Sequence, residues 1–152
     1  MTLTELITRV EQVSGSDRQL DADICVALQW SWDNEFNPRS FRHTKPPSEF
    51  VIADDETGCG GVCYPAPLTL SIDAIMALFK ARLDGRGLHM FMADDKIPTV
   101  TIWDSGLMDD CSSEESETSE HPDIHRAFLS ATLKAIAAVW RKSLFTYRRE
   151  PK

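Results

Sequence analysis

The clearest alternation of apolar and polar positions lies in Ser71–Val100 and the residues just after it. Ile72, Ile75, Met76, Phe79 and Leu83 follow one another at steps of three and four, one stripe of a 3.6-residue helix. Ser71 suits the N-cap, and Asp73 places a negative charge in the first turn, facing the positive helix end. Gly85 and Gly87 are expected to end this helix, because glycine accepts the left-handed backbone of a C-terminal turn. The period then changes to two. Leu88, Met90 and Met92 alternate with His89 and Phe91. Beyond the polar Asp94-Asp95-Lys96, Val100 and Ile102 alternate with Thr99, Thr101 and Trp103. Two alternating runs around a short polar loop predict a β-hairpin. Pro98 has no N–H for a ladder, which places it at the start of the second strand or on an edge.

Around this centre the pattern predicts three more helices. Thr2-Leu3-Thr4-Glu5 fits a capping box, and Leu3, Leu6, Ile7 and Val10 give a stripe ending near Gln12. Ser14-Gly15 breaks it. Ser16-Asp17-Arg18-Gln19 offers a second capping box for a helix to about Leu28, with Leu20, Ile24, Ala27 and Leu28 inward and Asp17, Arg18, Asp21 and Asp23 on a polar face. Pro122 is expected in the first turn of the last helix, whose apolar face is Ile124, Phe128, Leu129, Leu133, Ile136 and Trp140, running to about Leu144. Gln29–Glu49 shows no sustained period and reads as a long loop. Its Trp30, Trp32, Phe36 and Phe41 either line a pocket or fold over the core as a lid. Phe50–Ala53 reads as a short strand and 54–67 as loop. The stretch 109–120 reads as solvated acidic sequence, and 147–152 as a basic, frayed tail. The sum is a single α+β domain: a small antiparallel sheet, built from the hairpin and Phe50–Ala53, covered by helices in an α/β sandwich.

Composition narrows the function classes. The chain has 152 residues and a formal net charge of -8. Such a surface repels phosphates, so direct nucleic-acid binding is not expected. The N-terminus lacks a signal-peptide pattern and no apolar run approaches spanning length, so a cytoplasmic protein without membrane association is expected. The four cysteines, Cys25, Cys59, Cys63 and Cys111, are expected as free thiols.

The order SGSDRQLDADI, PAPLTLSIDAIMAL, hairpin, then HRAFLSATLKAIAAVW resembles the phage ABA sandwich domain family, small proteins of phages and prophages. The match spans about Leu3 to Trp140 and is most specific at Gly15–Asp21 and Ser71–Ala74. The resemblance implies an α/β sandwich and a phage context. It implies no activity and no catalytic residues.

Chemistry is sparse. Arg18 at a helix start can fork onto an anion, with Ser16, Asp17 and Asp21 beside it and Trp30 and Trp32 available for stacking; the structural alternative is that Ser16 and Asp17 cap the helix while Arg18 pairs with Asp21 or Asp17. Cys59 and Cys63 lack the tighter spacing of zinc knuckles, and a site completed by His43, His89 or Cys111 would need tertiary help. His121 and His125 stand four apart, but Pro122 replaces the glutamate of a metalloprotease motif. Asp94-Asp95 and Asp109-Asp110 are expected to be hydrated. No cofactor and no catalytic set is expected. The leading expectation is a non-enzymatic interaction module of a phage or prophage with a host or phage protein as partner, self-association included. The alternatives are a binder of a small anionic ligand such as a nucleotide, and a metal-dependent enzyme using Cys59, Cys63 and a histidine.

Overall fold

The structure is a computed structural model that describes residues 1–30, 65–104 and 116–143 in full and residues 41–45, 49–52, 61–63 and 144–147 as backbone. It holds helices α1 (Leu3–Gln12), α2 (Arg18–Leu28), α3 (Ile72–Arg82) and α4 (Ile124–Tyr147), and strands β1 (Phe41–Lys45), β2 (Glu49–Ile52), β3 (Gly61–Cys63), β4 (Arg86–Phe91), β5 (Thr99–Asp104) and β6 (Ser116–Glu120). The fold is α+β, with helices packed on an antiparallel sheet.

Local rules account for the helix ends. The Thr2 hydroxyl accepts from the Glu5 N–H while the Glu5 carboxylate accepts from the Thr2 N–H, the reciprocal box its spacing predicts. In α2 the cap is Asp17, whose Oδ1 accepts from the Leu20 N–H at 2.9 Å; Ser16 lies outside the helix. Gln29 closes α2 in the left-handed region at φ 46°. The Arg82 guanidinium donates to the Leu28 carbonyl at 2.7 Å, joining α3 to the end of α2. Ser71 caps α3. Of the two glycines expected to end that helix, only Gly85 does turn work, at φ +78°. Gly87 instead lies in β4, where the Trp103 indole occupies the space a Cβ would need. Pro122 precedes α4 rather than sitting in its first turn; Asp123 caps it, with Oδ1 accepting from the His125 N–H.

Among the described residues two antiparallel three-stranded meanders form, in orders β1-β2-β3 and β4-β5-β6. The expected loop Gln29–Glu49 therefore contains β1 and the first residue of β2. The strand expected at Phe50–Ala53 pairs with β1 and β3, not with the hairpin. The predicted hairpin is β4–β5, in register Leu88↔Ile102 and Met90↔Val100. The acidic stretch holds the third strand of that sheet, β6, paired Val100↔Ser119 and Thr101↔Thr118. Pro98 immediately precedes β5, and its carbonyl accepts from the His121 N–H, lengthening the β5–β6 pairing.

Helix α4 organises the interior. It packs against β5 and β6 and also against α1 and α3, while α2 packs on α1. Every residue from Arg126 to Leu133 is buried, so this part of α4 is enclosed on all sides rather than amphipathic. Ala127, Ala131 and Ala135 keep the helix slim enough for neighbours on both sides. Phe128 meets Phe79 of α3 with ring centroids 6.3 Å apart and planes tilted by 50°. Beyond the core the enclosure ends: Trp140, expected on the apolar face, is exposed.

Candidate functional site

The sequence singles out Ser16, Asp17, Arg18, Asp21, Trp30 and Trp32, and the first four stand at the start of α2. Asp21 was expected on a polar outer face, but its side chain is fully buried. Its Oδ1 accepts from the Thr69 N–H at 2.7 Å, and its Oδ2 from Arg18 at 2.7 Å. Arg18 donates its other branch to the Pro65 carbonyl at 2.6 Å. The Asp17 N–H donates to the Thr69 hydroxyl at 2.9 Å. Arg9 pairs with Asp23 at 2.7 Å and, more loosely, with Asp17 at 3.6 Å. The segment 65–71 is thus bound across the first turn of α2 by backbone and charged groups together. Ser16 is exposed beside this assembly.

Helix α4 enters the same assembly. The Gly15 N–H donates to the Asp123 carboxylate, and Arg126 donates to the Gly15 carbonyl. Gly15 itself adopts φ +78°, which lets its N–H and carbonyl both turn toward α4. Arg126 is fully buried, and its Nε and Nη1 have no hydrogen-bond partner among the described residues. Burial pushes its pKa down, against the pull of Asp123, Asp17 and Asp21.

These shifts decide what chemistry the assembly can do. Burial raises the Asp21 carboxyl above its ordinary value, although the Thr69 and Arg18 contacts oppose the rise. A perturbed carboxyl inside a protein is a candidate acid or base only where a substrate can reach it. Both Asp21 oxygens are engaged and the side chain has no exposed surface, so it acts as a brace. Arg18 is likewise held by internal partners. For Asp123, burial pushes upward, but the His125 ring and backbone N–H, the His125 charge and the Gly15 N–H together hold it below the ordinary carboxylate range.

The remaining candidates separate. Trp30 is packed in the core at 7% exposure, and Trp32 lies outside the described residues. Cys25 is a buried cysteine. Cys59 and Cys111 lie outside the described residues and Cys63 stands in β3. The Nδ1 atoms of His121 and His125 both engage Asp123, one at its N–H and the other at its carboxylate. No group of three or more metal-ligating side chains occurs among the described residues.

A second feature was not singled out from the sequence. Among the described residues β4 is an edge strand, and its apolar side chains run out of the core along it. Leu88 and Met90 share the inward face with Ile102 and Val100. Leu88 is half-buried, Met90 is 39% exposed, and Met92, just past the strand, is 66% exposed. Phe91, on the other face, is 45% exposed, and Ile97 across the loop 54%. The opposite edge, β6, is SETSE and carries Glu117 and Glu120. Sheet edges are usually protected by charge of this kind; beyond Arg86, β4 carries no Lys, Arg, Asp or Glu. The signal was present in Met90-Phe91-Met92, since three consecutive apolar residues on a strand with one covered face must leave some in water.

Comparison of the chain with protein-family models, curated proteins and solved structures returns no match. No helix among the described residues is long and apolar enough to cross a membrane.

Proposed function

We propose that this protein is a non-enzymatic interaction module, made by a phage or prophage, that holds another polypeptide along β4 and acts on host machinery or host defence. The observation that carries this reading is the exposed run Met90-Phe91-Met92 at the end of β4, an edge strand among the described residues. An edge offers main-chain donors and acceptors for an added strand, and flanking apolar side chains supply affinity. The charged groups near α2, by contrast, are engaged in holding loops together. The phage assignment rests on the resemblance of Gly15–Asp21 and Ser71–Ala74 to the phage ABA sandwich domain family.

Capture from a bacterial lysate tests the reading, with the full chain and a Phe91→Lys variant used side by side. A protein retained by the wild type and lost by the variant is expected. Equal retention by both would remove β4 from the account.

Arg126 favours a second reading, a site for a small anion such as a nucleotide, because a buried guanidinium whose Nε and Nη1 are unpartnered among the described residues can take an oxyanion. Against it stand the Asp17, Asp21 and Asp123 carboxylates around that cation. A rise in melting temperature with inorganic phosphate or a nucleotide, abolished by Arg126→Met, would support the anion site. No rise with any of them ends it.

A further inference from the structure

We infer that the turn Ser14–Ser16 is a strap over the Arg126 guanidinium, and that it lifts in the native state without unfolding the helices it joins. The inference is independent of β4. It is a condition of the anion reading of Arg126 rather than a consequence of it, because it says how that group is reached.

Two anchors bound the turn. Val13 closes α1, its N–H donating to the Arg9 carbonyl, and Asp17 opens α2, its N–H donating to the Thr69 hydroxyl. Between them, among the described residues, the hold on the rest of the fold runs through Gly15. Its N–H donates to Asp123, and its carbonyl accepts from Arg126. Ser14, Gly15 and Ser16 are all exposed, and none has an apolar side chain to give to the core. Lifting the turn therefore uncovers almost no apolar surface, which is the main term that keeps a segment in place.

Arg126 sits on the other side of the balance. It is fully buried, yet it touches an exposed glycine, so the turn is part of the wall between the guanidinium and water. Its Nε and Nη1 have no hydrogen-bond partner among the described residues. A buried donor left idle forfeits its bonds with water, and a charged group forfeits more than a neutral one. The closed turn thus makes two bonds at Gly15 and leaves two donors idle. The open turn exchanges those bonds for bonds with water and hydrates the idle pair. Gain and loss nearly cancel, so the two forms lie close in free energy. Asp17, Asp21 and Asp123 attract the cation throughout, so opening wets Arg126 without drawing it out of the fold.

Hydrogen exchange followed by NMR on the full chain tests the strap. The Arg126 Nε–H is buried without a bond, so it exchanges only when water reaches it. It should be at least about 100-fold less protected than the Ala131 amide, and insensitive to low urea, because a local opening exposes little surface. Protection equal to that of Ala131, with the same urea dependence, would mean that water arrives only on global unfolding, and the strap would be wrong. Gly15→Ala strains the closed turn at φ +78°, where the added Cβ meets no neighbour, and should lower the Arg126 protection about tenfold. An unchanged value would place the opening elsewhere and overturn the proposal. Arg126→Met should slow exchange of the Gly15 N–H, since lifting the turn then hydrates no idle donor. Faster exchange in that variant would show that Arg126 only fastens the turn, again against the proposal. Fast exchange at Arg126, with a melting temperature that inorganic phosphate leaves unchanged, would support the strap and end the anion reading.

Discussion

Asp21 shows what a buried charge does when its neighbours are built for it. From the sequence it belongs to a polar face, because it follows the α2 cap among other polar side chains. Only the tertiary structure brings the Thr69 N–H to its carboxylate. The sequence reading of the Arg18–Asp21 pair as structural agrees with the observed geometry, whereas the Pro65, Thr69, Gly15 and Arg126 contacts join residues too distant in the chain for local spacing to reveal. Replacing Asp21 by Ala leaves a buried N–H unsatisfied and Arg18 without its carboxylate. We expect a loss of about 2–3 kcal/mol, visible as a lower urea midpoint at unchanged slope. Asp123 carries the opposite pH signature to Asp21. Its folded pKa is lowered, so its contribution is present above the ordinary carboxylate value and is lost as pH falls through the folded value. The raised Asp21 instead weakens the fold as pH rises through its own range. Asp123→Asn should therefore cost about 1 kcal/mol at neutral pH, with the deficit shrinking below roughly pH 4, as read from denaturation midpoints across pH.

At the scale of elements, the helices were legible because caps and apolar stripes are local signals. Thr2, Asp17 and Ser71 each cap where the spacing put the helix start, to within a residue. Strand β6 was not legible, because SETSE carries no apolar alternation. Its inward residue is Ser119, which bonds the Ser130 hydroxyl at 2.9 Å, and Ser130 in turn donates to Glu11 at 2.8 Å. A polar side chain satisfied inside the fold takes the place of an apolar one, and composition alone then resembles a solvated linker. β1 is not legible because FRHTK holds a single apolar residue, and β3 because three residues are too short to establish a period. The spacing predicts Gly87 as a helix terminator, but in the structure it lies beneath the Trp103 indole. Gly87→Ala should cost about 1–3 kcal/mol through displacement of the indole. In a double-mutant cycle, Trp103→Ala should absorb part of that loss, with melting temperature as the readout.

For the whole molecule, the decisive arrangement is a central α4 touching both sheet and helices. The predicted stripe located its inward residues but not its enclosure, since Arg126, Ser130 and Thr132 look like an outer face. Ala131→Leu should overpack the interior and cost about 1–3 kcal/mol, whereas Trp140→Ala, beyond the enclosed part, should change stability by about 0.5 kcal/mol or less. Calorimetry of the two variants separates enclosed from open helix. The α+β class followed from the changes in period along the chain. The division into two sheets did not, because pairing between distant strands leaves no mark on any one of them.

The joining of Gly15, Thr69 and Arg126 around the start of α2 also bears on the route by which the chain reaches its native state. Asp21 finds Thr69 across 48 positions, and Arg126 finds Gly15 across 111. Closing such spans costs entropy before any bond is gained, so this junction should be assembled after the rate-limiting step. Stopped-flow measurements on Asp21→Ala should then show unfolding about 30-fold faster or more, and refolding nearly as fast as wild type.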